Sequence, residues 1–177
     1  MLNQKNQAST VHIGLVNPKS PSNVGSVMRA SGCFGVNAVY YTGERYKRAA
    51  RFQTDTKNRT ESIPLISCEE LTEQMPEGMQ LVCVELAEGA VPLSEFKHPE
   101  QARYVFGSED GTISQALVDQ ADAVVYIPTV GCLNLAATVN IVLYDRQAKS
   151  ADINGGDALI RASRDTNNRV VVRPNQA

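Results

Sequence analysis

The chain has 177 residues and a net charge of −2, from 17 lysines and arginines against 19 acidic residues. That balance excludes a protein that coats nucleic acid through bulk charge, while leaving a local basic patch open. Hydrophobic residues at 42% and charged residues at 20% describe an ordinary folded domain, and only 6% aromatic residues with no tryptophan argue against a broad aromatic binding surface.

In chain order, residues 1–10 are polar, and MLNQKNQAST lacks an apolar core region, so no signal peptide is expected. VHIGLVN, Val11 to Asn17, reads as a buried strand. A loop punctuated by Pro18 and Pro21 follows. Ser22 or Asn23 then suits the cap of a helix through VGSVMRASGCFG, ended by Gly32 and Gly35. AVYYTG reads as the second strand. Residues 43–61 break the apolar rhythm and hold Arg45, Lys47, Arg48, Arg51, Lys57 and Arg59, with Tyr46 and Phe52 interleaved. Ile63 to Ser67 reads as a short strand and CEELTEQM as a helix.

Leu81 to Leu86, Arg103 to Ser108 and Ala123 to Thr129 are β-branched runs without alternation, the pattern of strands covered on both faces. SQALVDQA between the last two is a short helix. LNLAATVNIVLYDRQAK, from Leu133, is apolar on almost every side until Asp145 and is expected to be buried. Alternating strands and helices make the class α/β with a mainly parallel sheet and helices on both faces. One domain over residues 1–150 is expected. The polar, Gly/Asn-rich segment 151–177 reads as a tail that is partly disordered or folds on substrate. Cys33, Cys68, Cys83 and Cys132 form no CxxC pair and have only His12 and His98 to join them. That weighs against a metal site or disulfides and fits a reducing cytoplasm. No apolar run reaches the roughly 18 residues of a membrane span.

Neither GxGxxG nor GxxxxGK[ST] occurs, which disfavours dinucleotide and P-loop enzymes. Three loops at strand ends hold the polar residues of interest. In SPSNVGSVMRAS, Asn23 and Arg29 are six apart and share a helix face only if Asn23 sits in the non-helical cap. The plain structural reading makes Asn23 a cap and Arg29 a solvated charge. In FGSEDGTI, Gly107 and Gly111 flank Glu109, which with Asp110 would otherwise be a favourable charge at a helix start. In IPTVGCLNLAATVN, Asn134 falls in the first turn of the long helix, where a capping role is the alternative. Asn140, within the same helix, needs a partner on a neighbouring loop.

Together these segments resemble the three motifs of the SpoU (TrmH-like) branch of the SPOUT RNA methyltransferases. Asn23, Arg29, Gly32 and Gly35 match the first. Phe106, Gly107, Glu109 and, shifted by one residue, Gly111 match the second. Ile127, Pro128, Leu133, Asn134, Leu135, Ala136 and Thr138 match the third. Thr129 and Cys132 depart from the usual Met and Ser, and the cysteine is the poorer hydrogen-bond donor.

The resemblance spans about residues 11–149. It implies a deep C-terminal trefoil knot and a cytoplasmic homodimer joined through the Asn23–Phe34 and Leu133–Tyr144 helices. It also implies S-adenosylmethionine bound by Glu85, Leu86, Gly107, Ile127, Cys132 and Leu133. The implied reaction is methyl transfer to a ribose 2′-hydroxyl of tRNA or rRNA, with Arg29, Asn23, Glu109 and Asn134 at the reacting centre and no metal. Methylation of a base nitrogen, or a non-catalytic RNA-binding dimer, are the alternatives. Arg45, Lys47, Arg48 and Arg51 are then candidates for phosphate contacts, with Tyr46 or Phe52 stacking on a base; the alternative is a solvated loop.

Overall fold

Residues 9–50, 63–151 and 155–173 are described by the computed structural model of the chain. The apolar runs pair as seven strands: β1 (Thr10–Leu15), β2 (Ala38–Tyr41), β3 (Leu65–Ser67), β4 (Gln80–Val84), β5 (Val91–Pro92), β6 (Gln101–Phe106) and β7 (Ala123–Tyr126). All pair in parallel, in the order β3-β2-β1-β6-β4-β7-β5. The expected α/β class with a parallel sheet is therefore what the chain forms. β5, two residues long, went unread because it is too short to carry a pattern.

Among the described residues, five α-helices accompany the sheet: α1 (Pro21–Cys33), α2 (Arg45–Ala50), α3 (Gln115–Val118), α4 (Leu135–Ala148) and α5 (Asp157–Ser163). One face of the sheet packs Ile13, Leu15, Val82 and Phe106 against Val24 and Val27 of α1 and Val139, Val142 and Leu143 of α4. The opposite face gathers Tyr40, Leu81, Cys83 and Val105 with Leu71 and Ile113. None of the described helices is long and apolar enough to cross a membrane.

Several boundaries differ from the expectation. Ser20, not Ser22 or Asn23, caps α1; its side chain accepts from the Asn23 N–H, and Pro21 takes the first helical position, where a missing N–H costs nothing. Gly32 lies inside α1, and the chain turns at Gly35, whose φ of 67° is left-handed. CEELTEQM forms turns rather than a helix. The turn wraps Arg103, a β6 side chain with no solvent exposure. It donates to the carbonyls of Leu71 and Glu73 at 2.7 Å each and of Gln74 at 3.4 Å, and its guanidinium stacks 4.0 Å over the Tyr40 ring. A buried guanidinium must find acceptors, and the carbonyls of this turn supply them.

α4 is not buried all round. Leu135, Ala136, Val139, Val142 and Leu143 face the core, while Ala137, Asn140, Ile141 and Tyr144 are exposed. Asn140 donates to Ala136 of its own helix at 2.8 Å, not to a neighbouring loop. The far end of α4 is pinned to the connection that carries the chain from β5 to β6. Arg146 donates to the carbonyls of Pro99 and Glu100, and Lys149 to those of Leu93 (2.6 Å) and Phe96 (3.2 Å). His98 bridges Tyr104 (2.6 Å) and Asp145 (2.8 Å).

Candidate active site

Strand register assembles the site. Leu15 pairs with Phe106, Phe106 with Val84, and Val84 with Val125, so β1, β6, β4 and β7 end side by side. The loops that follow them meet at the carboxyl edge of the sheet, the position at which open parallel sheets bind ligands. Between them lies an open cavity of about 170 Å³. Glu85, Leu86, Gly107, Ile127, Cys132 and Leu133, the six residues assigned to the cofactor, all line it, together with Phe106, Glu109, Tyr126, Leu135 and Thr138.

The lining combines apolar side chains with two carboxylates, Glu85 and Glu109, and holds no lysine or arginine. A phosphate-rich nucleotide would meet no cation there, whereas a sulfonium or another cationic ligand meets favourable charge. Glu85 also holds the walls together. Its Oε1 accepts from Leu86 N–H and its Oε2 from Ile113 N–H, both at 2.9 Å. Gly107 lets it pass; a Cβ there would stand 3.3 Å from Glu85 Oε2. Thr129, in place of the usual Met, donates its hydroxyl to Gly131 O at 2.7 Å and so shapes the turn after β7.

Beside the cavity, three residues from the three motifs form one hydrogen-bonded chain. Asn23 Nδ2 donates to Glu109 Oε1 at 3.0 Å, and Asn134 Nδ2 donates to Asn23 Oδ1 at 3.1 Å. Asn134 is also the cap of α4, its Oδ1 accepting from Ala136 and Ala137. Glu109 is not a helix-start charge for α3, which Ser114 caps. Its carboxylate instead accepts from the backbone N–H groups of Lys19 (2.9 Å) and Ser20 (3.0 Å), just ahead of α1. Partial burial pushes the Glu109 carboxyl up, but the bonds from Asn23 and those amides outweigh it and hold the group below the ordinary carboxylate range. The Lys19 and Ser20 contacts were invisible to sequence reading because backbone donors carry no residue-type signal.

Arg29 does not join this chain. With Ser20 as the cap, Asn23 is already helical, and a residue six further on lies about 9 Å along the axis and about 120° around it. Arg29 is exposed on α1 and lies outside the cavity lining.

The basic segment is only partly available for phosphate. Arg45 donates from Nε (3.0 Å) and Nη2 (2.6 Å) to Asn17 O and from Nη1 to Asp110 at 2.8 Å, tying α2 to two site loops. Lys47 pairs with Glu44 at 2.9 Å. Arg48 is exposed. Tyr46 packs edge-on against Tyr41 with ring centres 5.1 Å apart, so it is part of the core boundary and not a free stacking surface. Arg51, Phe52, Lys57 and Arg59 lie outside the described residues.

The model of the SpoU rRNA Methylase family matches residues 10–144. Curated proteins gave no match. Among solved structures, the chain is similar to the A. aeolicus TrmH/SpoU tRNA modifying enzyme, with a TM-score of 0.68 at 22% identity over 80% of this chain and 75% of that one. It is also similar to the AdoMet-bound rRNA methyltransferase from Sinorhizobium meliloti, with a TM-score of 0.66 at 23% identity, again over 80% of this chain but only 57% of that one. A third likeness is to a structure concerned with 2-OH methylation of C/U34 on tRNA, with a TM-score of 0.64 at 21% identity over 80% of this chain and 97% of that one. At these identities the structural likeness is one of fold.

Proposed function

The chain belongs to the SpoU rRNA Methylase family, and on that premise we propose that it uses S-adenosylmethionine to methylate a ribose 2′-hydroxyl of tRNA or rRNA. The observation that carries this reading is the cavity at the joined strand ends, which has carboxylates but no cations in its lining and Glu109 of the Glu109–Asn23–Asn134 chain among its residues. When bound there, the cofactor supplies an electrophilic methyl group. Leu86, Ile127 and Leu133 pack its apolar parts, and Glu85 and Gly107 set the distance between the two walls.

Glu109, Asn23 and Asn134 are positioning residues: they hold the first turn of α1 against the loop after β6 and the start of α4. Fixing the acceptor hydroxyl in line with the methyl group is worth up to roughly 7–11 kcal/mol. Arg29 is the group that stabilises the developing alkoxide, since a guanidinium with a pKa above about 12 is unsuited to take the proton itself. Water or a phosphate oxygen of the RNA accepts that proton.

Arg29 lies outside the cavity lining of its own chain. We therefore assign it to the cavity of a second copy in a homodimer. Support comes from the outer face of the packed α1–α4 pair, where Arg29 stands beside the small residues Gly25 and Ser26 and Ile141 and Tyr144 are exposed. The trefoil knot belongs to the same proposal. Incubation with RNA and methyl-labelled cofactor, digestion to nucleosides and mass spectrometry tests the reaction. A 2′-O-methylnucleoside is expected, and a product methylated only on bases overturns the ribose assignment.

A further inference from the structure

Several described cations near the site already have partners in the protein. Arg45 is committed to Asn17 and Asp110, Lys19 to Asp110 at 3.5 Å, and Lys47 to Glu44. Beyond α4 the situation reverses. Residues 155–173 carry four arginines, Arg161, Arg164, Arg169 and Arg173, against Asp157 and Asp165. That is a net charge of +2 in a chain whose total is −2, so the remaining residues carry −4.

Among the described residues, the hydrogen bonds of this segment stay within it. α5 is held by its own ladder, and Asp165 and Asn168 close local turns through Asn167 and Val170. No carboxylate pairs with its arginines among the described ion pairs. Every residue is exposed except Arg164, which is half-buried.

We infer that residues 155–173 are an arm that grips the phosphate backbone of the RNA substrate through these four arginines; this rests on the proposed RNA methyltransferase reading. The chemistry is specific to the residue type. The segment holds no lysine, and guanidinium groups grasp phosphate oxygens in pairs. Ser163, Thr166, Asn167 and Asn168 stand among the arginines and supply neutral donors to sugar and phosphate. Reach is sufficient: α4 leads away from the cavity for 14 residues, about 21 Å, and the segment 164–173 that follows α5 spans up to about 35 Å when extended. An RNA lying across the cavity is therefore within the arm's range.

The test uses the full chain with all four arginines changed to glutamine, and a second variant with all four changed to lysine. The probes are an unmodified tRNA transcript, for affinity across a salt series, and S-adenosylhomocysteine, for the cavity. Wild type is expected to bind the transcript with a steep salt dependence. The glutamine variant is expected to lose on the order of tenfold or more in affinity, with a slope shallower by about 3. It should keep its S-adenosylhomocysteine affinity and its mass in solution. The lysine variant should retain most of the slope. An unchanged slope in the glutamine variant, with wild type binding the transcript, overturns the arm and leaves the methyltransferase reading standing. A change in mass with unchanged RNA affinity shows that the segment docks on a second copy and also overturns it. Failure of wild type to bind any RNA overturns both readings.

Discussion

Asn23 and Glu109 lie 86 positions apart and meet through a 3.0 Å hydrogen bond that joins the first turn of α1 to the loop after β6. The same carboxylate accepts from two backbone amides. One side chain thereby fixes how two walls of the site approach each other.

Replacing Glu109 with glutamine removes the charge and one of the acceptors. The cost to folding is about 1 kcal/mol, at the low end for bonds to a charged group because the residue is open to water. The folded carboxyl sits below its ordinary range, so its contribution is present above the unfolded-state value and is lost as pH falls through the folded one. Urea unfolding at a series of pH values should show wild type and Glu109→Gln differing at neutral pH and converging below about pH 4. A difference that persists in acid would contradict this role.

Arg29→Ala should leave the fold and the cofactor affinity unchanged. The residue is exposed and lines no part of the cavity on its own chain, and such surface changes stay within about 0.5 kcal/mol. Turnover should fall by about 10²–10³, the loss seen when one oxyanion-stabilising donor is removed. Calorimetry with S-adenosylhomocysteine and single-turnover kinetics separate the two quantities, and a parallel loss of both would make Arg29 structural.

Mixing two inactive variants tests the shared site. A dimer of Arg29→Ala with Gly107→Trp has one intact cavity facing one intact arginine if the site is completed across the interface. About a quarter of wild-type activity should then return after random exchange of subunits, since half the dimers are mixed and each has one working site of two. If Arg29 serves its own chain, no activity returns.

Asn134→Ala removes the α4 cap and the bond to Asn23. The expected cost is about 1–2 kcal/mol, a fall in Tm of roughly 2–8 °C for a chain of this size. Asn134→Asp keeps the cap oxygen and should recover most of the stability while still losing the Asn23 contact. Calorimetric melting of the three proteins, with cofactor affinity measured beside it, distinguishes the cap from the link.

His12 is buried against Arg103, 3.3 Å from its Nη2. Burial, with the Arg103 charge second, drives its pKa down to about 4. The unfolded chain therefore binds this proton near pH 6.5 while the folded chain does not. Stability should fall as pH drops from about 6.5 toward 4, by at most a few kcal/mol, and be flat above that window. His12→Gln should flatten this part of the profile; a profile identical to wild type would refute the assignment.

The sequence by itself determined six of the seven described strands, helices α1, α3 and α4, the parallel α/β class and the residues of the three motifs. Apolar periodicity and glycine punctuation are local properties, readable within a window of ten or so residues. All six residues assigned to the cofactor line one cavity because strand ends are local features too. Only the tertiary structure decided that Ser20 caps α1, turning Arg29 away from Asn23, and that residues 68–75 turn around Arg103 where a helix was expected. It also decided that Arg45 and Tyr46 are spent on the protein itself. Each of these depends on which partner waits across the fold, at separations of about 30 residues for Arg45 or Arg103 and 111 for Asn134. A hydrogen bond is won by the nearest well-oriented donor in space, and sequence spacing carries no record of that distance.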